Sequence, residues 1–234
     1  MANARLAPTG AGSASALVPG PVDGTAGRLL EAAVVAFAER GYHGVSVRDL
    51  TAAVGIQGGS FYAHFPSKEA LLFALMRLGH ETHQAAVRVA VLGAGADPVD
   101  QLRSACLANV TFQASWPLVV IVCNSELHAL SGEHRGRIIE LRQGTGVLFD
   151  TVIRRGNEAG VFRCDDPRLA LSAIAAMGIR VGWWYRPPAL RGDGSPLSDY
   201  PQWAASWLPE SDYDVDTIAE SYADFALKIV GAKA

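Results

Sequence analysis

Gly41-Tyr42-His43-Gly44-Val45-Ser46-Val47-Arg48-Asp49-Leu50-Thr51-Ala52-Ala53-Val54-Gly55-Ile56-Gln57-Gly58-Gly59-Ser60-Phe61-Tyr62-Ala63-His64-Phe65 reads as two short helices joined by a glycine turn. Ser46 is placed to cap the free amides of Val47 to Asp49, and Leu50, Ala53 and Val54 form an inner face. Gly55 breaks this helix. A third short helix is expected from Gln57 to His64, and Pro66 both ends it and suits the first turn of a fourth. Upstream, Thr25 is a plausible N-cap for a first helix with Leu29, Leu30, Ala33, Val34 and Phe37 at helical spacing, stopped by Gly41. Three short helices on one small core, with a glycine turn between the second and third, form the helix-turn-helix layout. In that layout the second helix braces the DNA backbone and the third enters the major groove. The third helix has a thin apolar side of Ile56, Phe61 and Phe65. Its other side offers the donors Gln57, Ser60, Tyr62 and His64, and Gly58 and Gly59 leave room for close approach.

The order and spacing of Phe37-Ala38-Glu39-Arg40-Gly41-Tyr42, Val45-Ser46-Val47-Arg48-Asp49-Leu50, Gly55-Ile56, Gly59-Ser60-Phe61-Tyr62-Ala63-His64-Phe65 and Ser67-Lys68-Glu69-Ala70-Leu71 resemble the DNA-binding domain of the TetR family. The resemblance implies that Ser46 and Arg48 contact phosphate or a nearby base. It places Gln57, Gly58, Gly59 and Ser60 at the base-reading start of the third helix. Tyr62 and His64 would bond phosphates, and Lys68 would clamp phosphate at the start of the fourth helix, where the dipole attracts anions. Members commonly carry Lys or another long polar residue where Gly58 stands, a departure that shifts base reading toward Gln57. Plainer accounts stand beside these: Ser46 and His64 as helix caps, Tyr62 as a core aromatic, Arg48 and Lys68 as solvated charges.

Bulk properties neither demand nor exclude a DNA partner. The 234 residues are half hydrophobic and 18% charged, with a formal charge of −3. Even Thr25 to Ala70 balances, Arg28, Arg40, Arg48 and Lys68 against Glu31, Glu39, Asp49 and Glu69. The DNA reading therefore rests on where donors sit, not on net charge. Cys106, Cys123 and Cys164 form no CxxC pair and point to a reducing, cytoplasmic setting. No apolar run is long enough to span a membrane. Residues 1–24 lack a signal-peptide pattern and read as a disordered arm, with Arg5 a candidate for minor-groove contact. No GxSxG elbow, HExxH pair or P-loop is present, so an enzyme is not expected, and no cofactor or metal is assigned. His80 and His83, three apart on one helix face, permit a metal but lack an obvious third ligand.

The rest of the chain also reads as helix, which makes the fold class all-α: residues 25–70 for DNA binding, 71–234 for ligand binding and dimerisation. After a linker at residues 93–98, helices are expected at about 98–115, 117–131, 134–159, 166–185 and 214–231. Pro187 to Ser211 is long, rich in Pro and Gly, and carries Trp203 and Trp207. Leu118 to Cys123 is apolar on every side, so its helix is buried and suited to line a cavity faced by Trp116, Asn124, Glu126 and His128. Core packing with surface polars is an equal account of those four. Ala175, Gly178 and Gly182 make one small-sided helix stripe, and Ile218, Tyr222, Phe225 and Ile229 make an apolar stripe on the last helix. Together they suit a four-helix bundle between two subunits, although an ordinary pairing within one chain gives the same pattern. The run Arg180 to Pro187, after Gly160-Val161-Phe162, is more loosely similar to TetR-type repressors of lipid and sterol catabolism, several of which respond to acyl-CoA esters. That likeness implies cations for phosphates at Arg180, Arg186 and Arg137, and an adenine stacked on Trp183 or Trp184. The functional expectation is a homodimeric repressor of a palindromic double-stranded DNA operator, released by a small hydrophobic effector such as an acyl-CoA; the alternatives are a TetR-type regulator that activates or takes another class of effector, and a helical metal-binding or enzymatic protein.

Overall fold

In the computed structural model, the residues described are 17–20, 23–187, 190 and 213–232. Arg5 and the pair Trp203 and Trp207 lie outside them. The chain folds as α1 (Gly24–Arg40), α2 (Val47–Val54), α3 (Gly58–Phe61), α4 (Lys68–Gly93), α5 (Pro98–Ser115), α6 (Pro117–Ser125), α7 (Gly132–Glu158), α8 (Pro167–Trp184) and α9 (Val215–Ile229). No strand occurs among the described residues, so the all-α class is as expected.

Local signals explain most boundaries. Ser46 and Asp49 form a reciprocal capping box at α2, and Gly55 closes that helix in the left-handed region at φ 74°. Ser67 caps α4 by accepting from the Ala70 amide, and Asp97, Asp166 and Asp214 cap α5, α8 and α9. Three boundaries differ from the sequence reading. α1 starts at Gly24 after Asp23, and Thr25 instead accepts from Arg28. α3 is only four residues long, with Gln57 at its cap position. The helix expected over 117–131 stops at Ser125 and passes into a single 3-10 turn, Leu127–Ala129. Arg135 stabilises that turn by donating to the carbonyls of His128 (2.9 Å) and Leu130 (2.8 Å), which a continuous helix would have used itself.

The core is continuous across the expected boundary at residue 70. Leu29, Phe37, Leu50 and Phe61 pack in one cluster with Leu71, Leu72 and Leu75 of α4 and Leu118, Val119 and Val122 of α6. Ala53, expected on the inner face of α2, is exposed; Leu50 and Thr51 fill that face. All of Pro117 to Cys123 is buried, as its sequence demanded. A second cluster joins the end of α4 to α5, α7, α8 and α9 through Val87, Leu102, Phe149, Ile153, Ile174 and Ala226. α5 and α6 meet at 94° across Trp116 and Pro117. α6 packs against α1, α4 and α8. Among the described residues no single helix is long and apolar enough to cross a membrane.

Candidate nucleic-acid interface and effector cavity

α3 buries one side chain, Phe61, and turns everything else outward. Gln57, Gly58, Gly59, Ser60, Tyr62 and His64 are all exposed. Tyr62 is 60% exposed and rests edge-on against Phe61, so it is not a core aromatic. A Cβ added at Gly58 or Gly59 would meet nothing within 4 Å, so internal packing does not require either glycine. Arg48 and Ser46 are exposed on the flank of α2. The Ser46 hydroxyl is committed to Asp49, accepting from its amide at 3.2 Å and donating to its carboxylate at 2.8 Å. The Ser46 amide, which donates to the same carboxylate at 2.8 Å, and the Ser46 hydroxyl hold the Asp49 carboxyl below its ordinary range.

Lys68 departs from the phosphate clamp that the sequence suggested. Its ammonium donates to the carbonyls of Tyr42 (2.8 Å) and Val45 (2.5 Å) and lies 4.0 Å over the Tyr42 ring. Two of its three donors thus fasten the α1–α2 turn, leaving one for an anion. Burial lowers its pKa, and the charge of Asp49 opposes that.

A cavity of about 340 Å³ lies between α4, α5, α6, α7 and α8. Its apolar wall includes Phe112, Val119, Val120, Phe149, Ile174 and Ile179, and its polar groups are His80, His83, Asn109, Gln113, Asn124, Arg142, Thr145 and Ser172. His83 Nε2 lies 2.8 Å from Asn109 Oδ1, which also accepts from Gln113 at 3.3 Å. Arg142 donates to the Cys123 carbonyl, to Asn124 Oδ1 at 3.4 Å and, through Nε, to His80 Nε2 at 3.4 Å. Burial, reinforced by Arg142 and His83, pulls the His80 pKa down to about 3, so His80 is neutral and accepts. Burial also lowers His83, against its bond to Asn109, and pushes the Cys123 thiol up to about 12. His80 and His83 belong to the polar part of the wall, and among the described residues no group of three His, Cys, Asp or Glu could hold a metal.

Residues 29–75 match the family model described as bacterial regulatory proteins, tetR family, and residues 95–188 match the tetracyclin repressor-like C-terminal domain. The HTH-type transcriptional repressor KstR2 of Mycobacterium tuberculosis (strain H37Rv) is 31% identical over 186 residues, 77% of this chain and 88% of that protein. The chain belongs to the TetR family of transcriptional regulators. KstR2 of Rhodococcus jostii (strain RHA1) is 30% identical over 179 residues, covering 73% of this chain and 87% of that one. Among solved structures, a bacterial regulatory protein in the tetR family from Rhodococcus RHA1 superposes with a TM-score of 0.75 at 30% identity, covering 91% of this chain and all of that one. AibR, in complex with isovaleryl coenzyme A and operator DNA, shares the fold at a TM-score of 0.69 and 22% identity, over 88% of this chain and 97% of that one.

Within this TetR-family chain the expected ligand residues scatter. Asn124 lines the cavity. Trp116 stands behind its wall, 5.1 Å from Phe112. Glu126 is buried at the joint with the DNA-binding helices, 3.4 Å from where a Cβ on Gly41 would stand, and the His128 ring is 6.2 Å from that of His43. Arg180 is exposed over Trp183, and Trp184 packs with Tyr185 beside α9. The phosphate cations drawn from the acyl-CoA likeness also fall elsewhere: Arg137 pairs with Glu140 on the surface, and Arg186 folds onto the carbonyls of Gly182, Trp183 and Tyr185. The sequence reading missed Arg142 as a cavity-lining group. The signal was present, because Arg142 and Thr145 share the helical stripe of Ile138 and Phe149, which are buried.

The dimer stripe also divides. Gly178 and Gly182 face inward: a Cβ at Gly178 would overlap Asn109, and one at Gly182 would stand 2.7 Å from Val120. Their smallness therefore serves packing of α8 on α5 and α6 within the chain. Ala175 lines the cavity, Ile218 is buried, and Tyr222 is half-buried. Phe225 and Ile229 remain exposed on α9, alongside exposed Leu169, Ala173 and Ala176 on α8.

Proposed function

We propose that this chain is a ligand-responsive transcriptional repressor, cytoplasmic and homodimeric, that binds a palindromic operator and is released when a small, mostly apolar effector enters the cavity. The observation that carries this reading is α4. One 26-residue helix bears Lys68 and Glu69 beside the DNA-binding helices and His80 and His83 in the cavity wall. At about 1.5 Å per residue, some 20 Å of rigid rod joins the two. α6 supplies a second link, since it packs on α1 while Val119, Val120, Cys123 and Asn124 line the cavity. An effector that prefers a different setting of α4 and α6 shifts the spacing of the two recognition helices and lowers operator affinity in proportion to its preference. The repressor relatives and the AibR complex, which holds both a ligand and operator DNA, support the same division of labour.

On the DNA side, Gln57 and Ser60 read bases while Arg48, Tyr62, His64 and the spare donor of Lys68 bond phosphates. Ser46 positions α2 through its capping box. Selection from a pool of random duplexes with the full-length chain tests this. The expected product is an inverted repeat with half-sites about 34 Å apart, bound more weakly as salt rises. Failure to enrich any two-fold sequence would sink the proposal.

A further inference from the structure

We propose that the effector is a compact apolar acid whose single carboxylate seats on Arg142. This rests on the reading of the cavity as the effector site and names the chemistry that the site would take. Among the described residues Arg142 is the one cation in the cavity wall, and no Asp or Glu stands with it there. Its partners, the Cys123 carbonyl, Asn124 and His80, are all neutral. Nη2 and Nε make those bonds, while Nη1 makes none among the described residues. Arg142 is half-buried with no counter-ion among the described residues, which is costly for a guanidinium, and a planar fork with open donors is matched to a carboxylate.

The surroundings fix the charge and size of the guest. His80 and His83 are half-buried, and their lowered pKa values leave them neutral at physiological pH, so among the described residues the wall carries one positive charge. One charge balances one carboxylate. The several phosphate charges of a coenzyme A ester would need further cations, and Arg137, Arg180 and Arg186 do not line the cavity. The volume, about 340 Å³, lies near the lower end of small-molecule pockets and is walled chiefly by Phe112, Val119, Val120, Phe149, Ile174 and Ile179. Arg142 also ties α7 to the end of α6 and to α4. A carboxylate that draws the guanidinium away from the Cys123 carbonyl loosens the two helices that reach the DNA-binding domain.

Calorimetric titration of the full-length protein tests the assignment, with hexanoate, decanoate and 1-naphthoate each compared with its primary amide and its coenzyme A thioester. At least one acid is expected to bind tenfold or more tightly than both its uncharged amide and its coenzyme A thioester. Arg142→Gln should reduce that preference below threefold, and Arg142→Lys should restore part of it. No preference for the acid in any of the three sets overturns the assignment, whether both forms bind or neither does. A tighter thioester, or a tenfold preference surviving in Arg142→Gln, overturns it as well. Should Arg142→Gln fail to fold, the comparison of acid with amide on the unaltered protein still decides. Operator affinity measured with and without the bound acid separates the two claims: an acid that binds without changing operator affinity sinks the release mechanism and leaves the carboxylate seat standing.

Discussion

Nδ1 of His134 lies 2.8 Å from Oε1 and 2.9 Å from Oε2 of Glu69, joining the first turn of α7 to the first turn of α4. The Ser131 amide donates to the same carboxylate at 2.9 Å, and the His134 ring stacks on Phe73 with centroids 3.9 Å apart. The helix that starts beside the DNA-binding surface is therefore pinned to a helix that lines the cavity. Burial pushes the Glu69 carboxyl up, but the Ser131 amide and His134 outweigh it and hold it below its ordinary value.

Glu69→Ala should remove this pin and lower stability by about 1–2 kcal/mol, the range for charge-assisted hydrogen bonds lost at a partly buried site. Because the folded carboxyl has a lowered pKa, its contribution is full above about pH 4.5 and fades as pH falls through the folded value. Urea denaturation at pH 7 should show the deficit, and the gap between the two proteins should narrow in acid. An unchanged midpoint at pH 7 would mean that the contact contributes nothing in solution.

Gly59→Ala should separate folding from DNA binding. Nothing in the chain lies within 4 Å of the added Cβ, and alanine favours helix over glycine by roughly 0.5–1 kcal/mol. The variant should melt at the same temperature or slightly higher, yet bind the selected operator at least tenfold more weakly, because the methyl holds α3 off the groove. Calorimetric melting and a gel shift report the two quantities independently. Full operator affinity in the variant would show that the glycine pair is not kept for close approach.

How far the sequence could be read depended on whether a residue's meaning was local. Caps and glycine stops are local, so Ser46, Gly55, Pro117 and Asp166 marked helix limits that the structure reproduces to within a residue or two. Exposure of Gln57, Ser60 and Tyr62 followed from the thin apolar side of the segment from Gln57 to His64. Partner choice is not local. Gly178 and Gly182 announce that something approaches closely, but only the fold says that it is Asn109 and Val120 of the same chain. Lys68 reads as a phosphate ligand until the α1–α2 turn brings the carbonyls of Tyr42 and Val45 under it. Arg142 went unread, although its place on the stripe of Ile138 and Phe149 sets a charged residue on a face that the fold turns inward.

Acid should destabilise the protein earlier than surface carboxylates alone would explain. The His80 ring has its pKa pulled to about 3 by burial, with Arg142 and His83 facing it, against 6.5 when unfolded. The unfolded chain then takes up a proton between those values that the folded chain refuses. Stability falls as pH drops below about 6.5, at roughly 1.4 kcal/mol per pH unit for one such group, until the folded pKa is reached. His83, lowered for the same reason, adds to the slope. Urea midpoints from pH 7 to pH 4.5 should fall steeply, and His80→Gln should make the fall shallower. A parallel profile for the variant would mean that His80 is solvated in solution.

Phe225→Asp should split the proposed homodimer without unfolding the chain. Phe225 and Ile229 are 45% and 36% exposed on α9, and Leu169 is 70% exposed on α8, an apolar surface that one subunit leaves in water. α9 itself is held without them. Ala223 and Ala226 are buried, and Arg103 of α5 reaches Glu220 at 3.0 Å and Asp224 at 2.5 Å. The exposed stripe is thus spare to the monomer fold and available to a second copy. In a two-fold interface each substitution occurs twice, so one aspartate per chain sets two carboxylates into the same apolar contact. Sedimentation should give a monomer where the parent gives a dimer, with the helical circular dichroism unchanged. Operator affinity should drop by orders of magnitude, since a monomer reaches one half-site only. A variant that sediments as a dimer at micromolar concentration would move the interface away from α8 and α9.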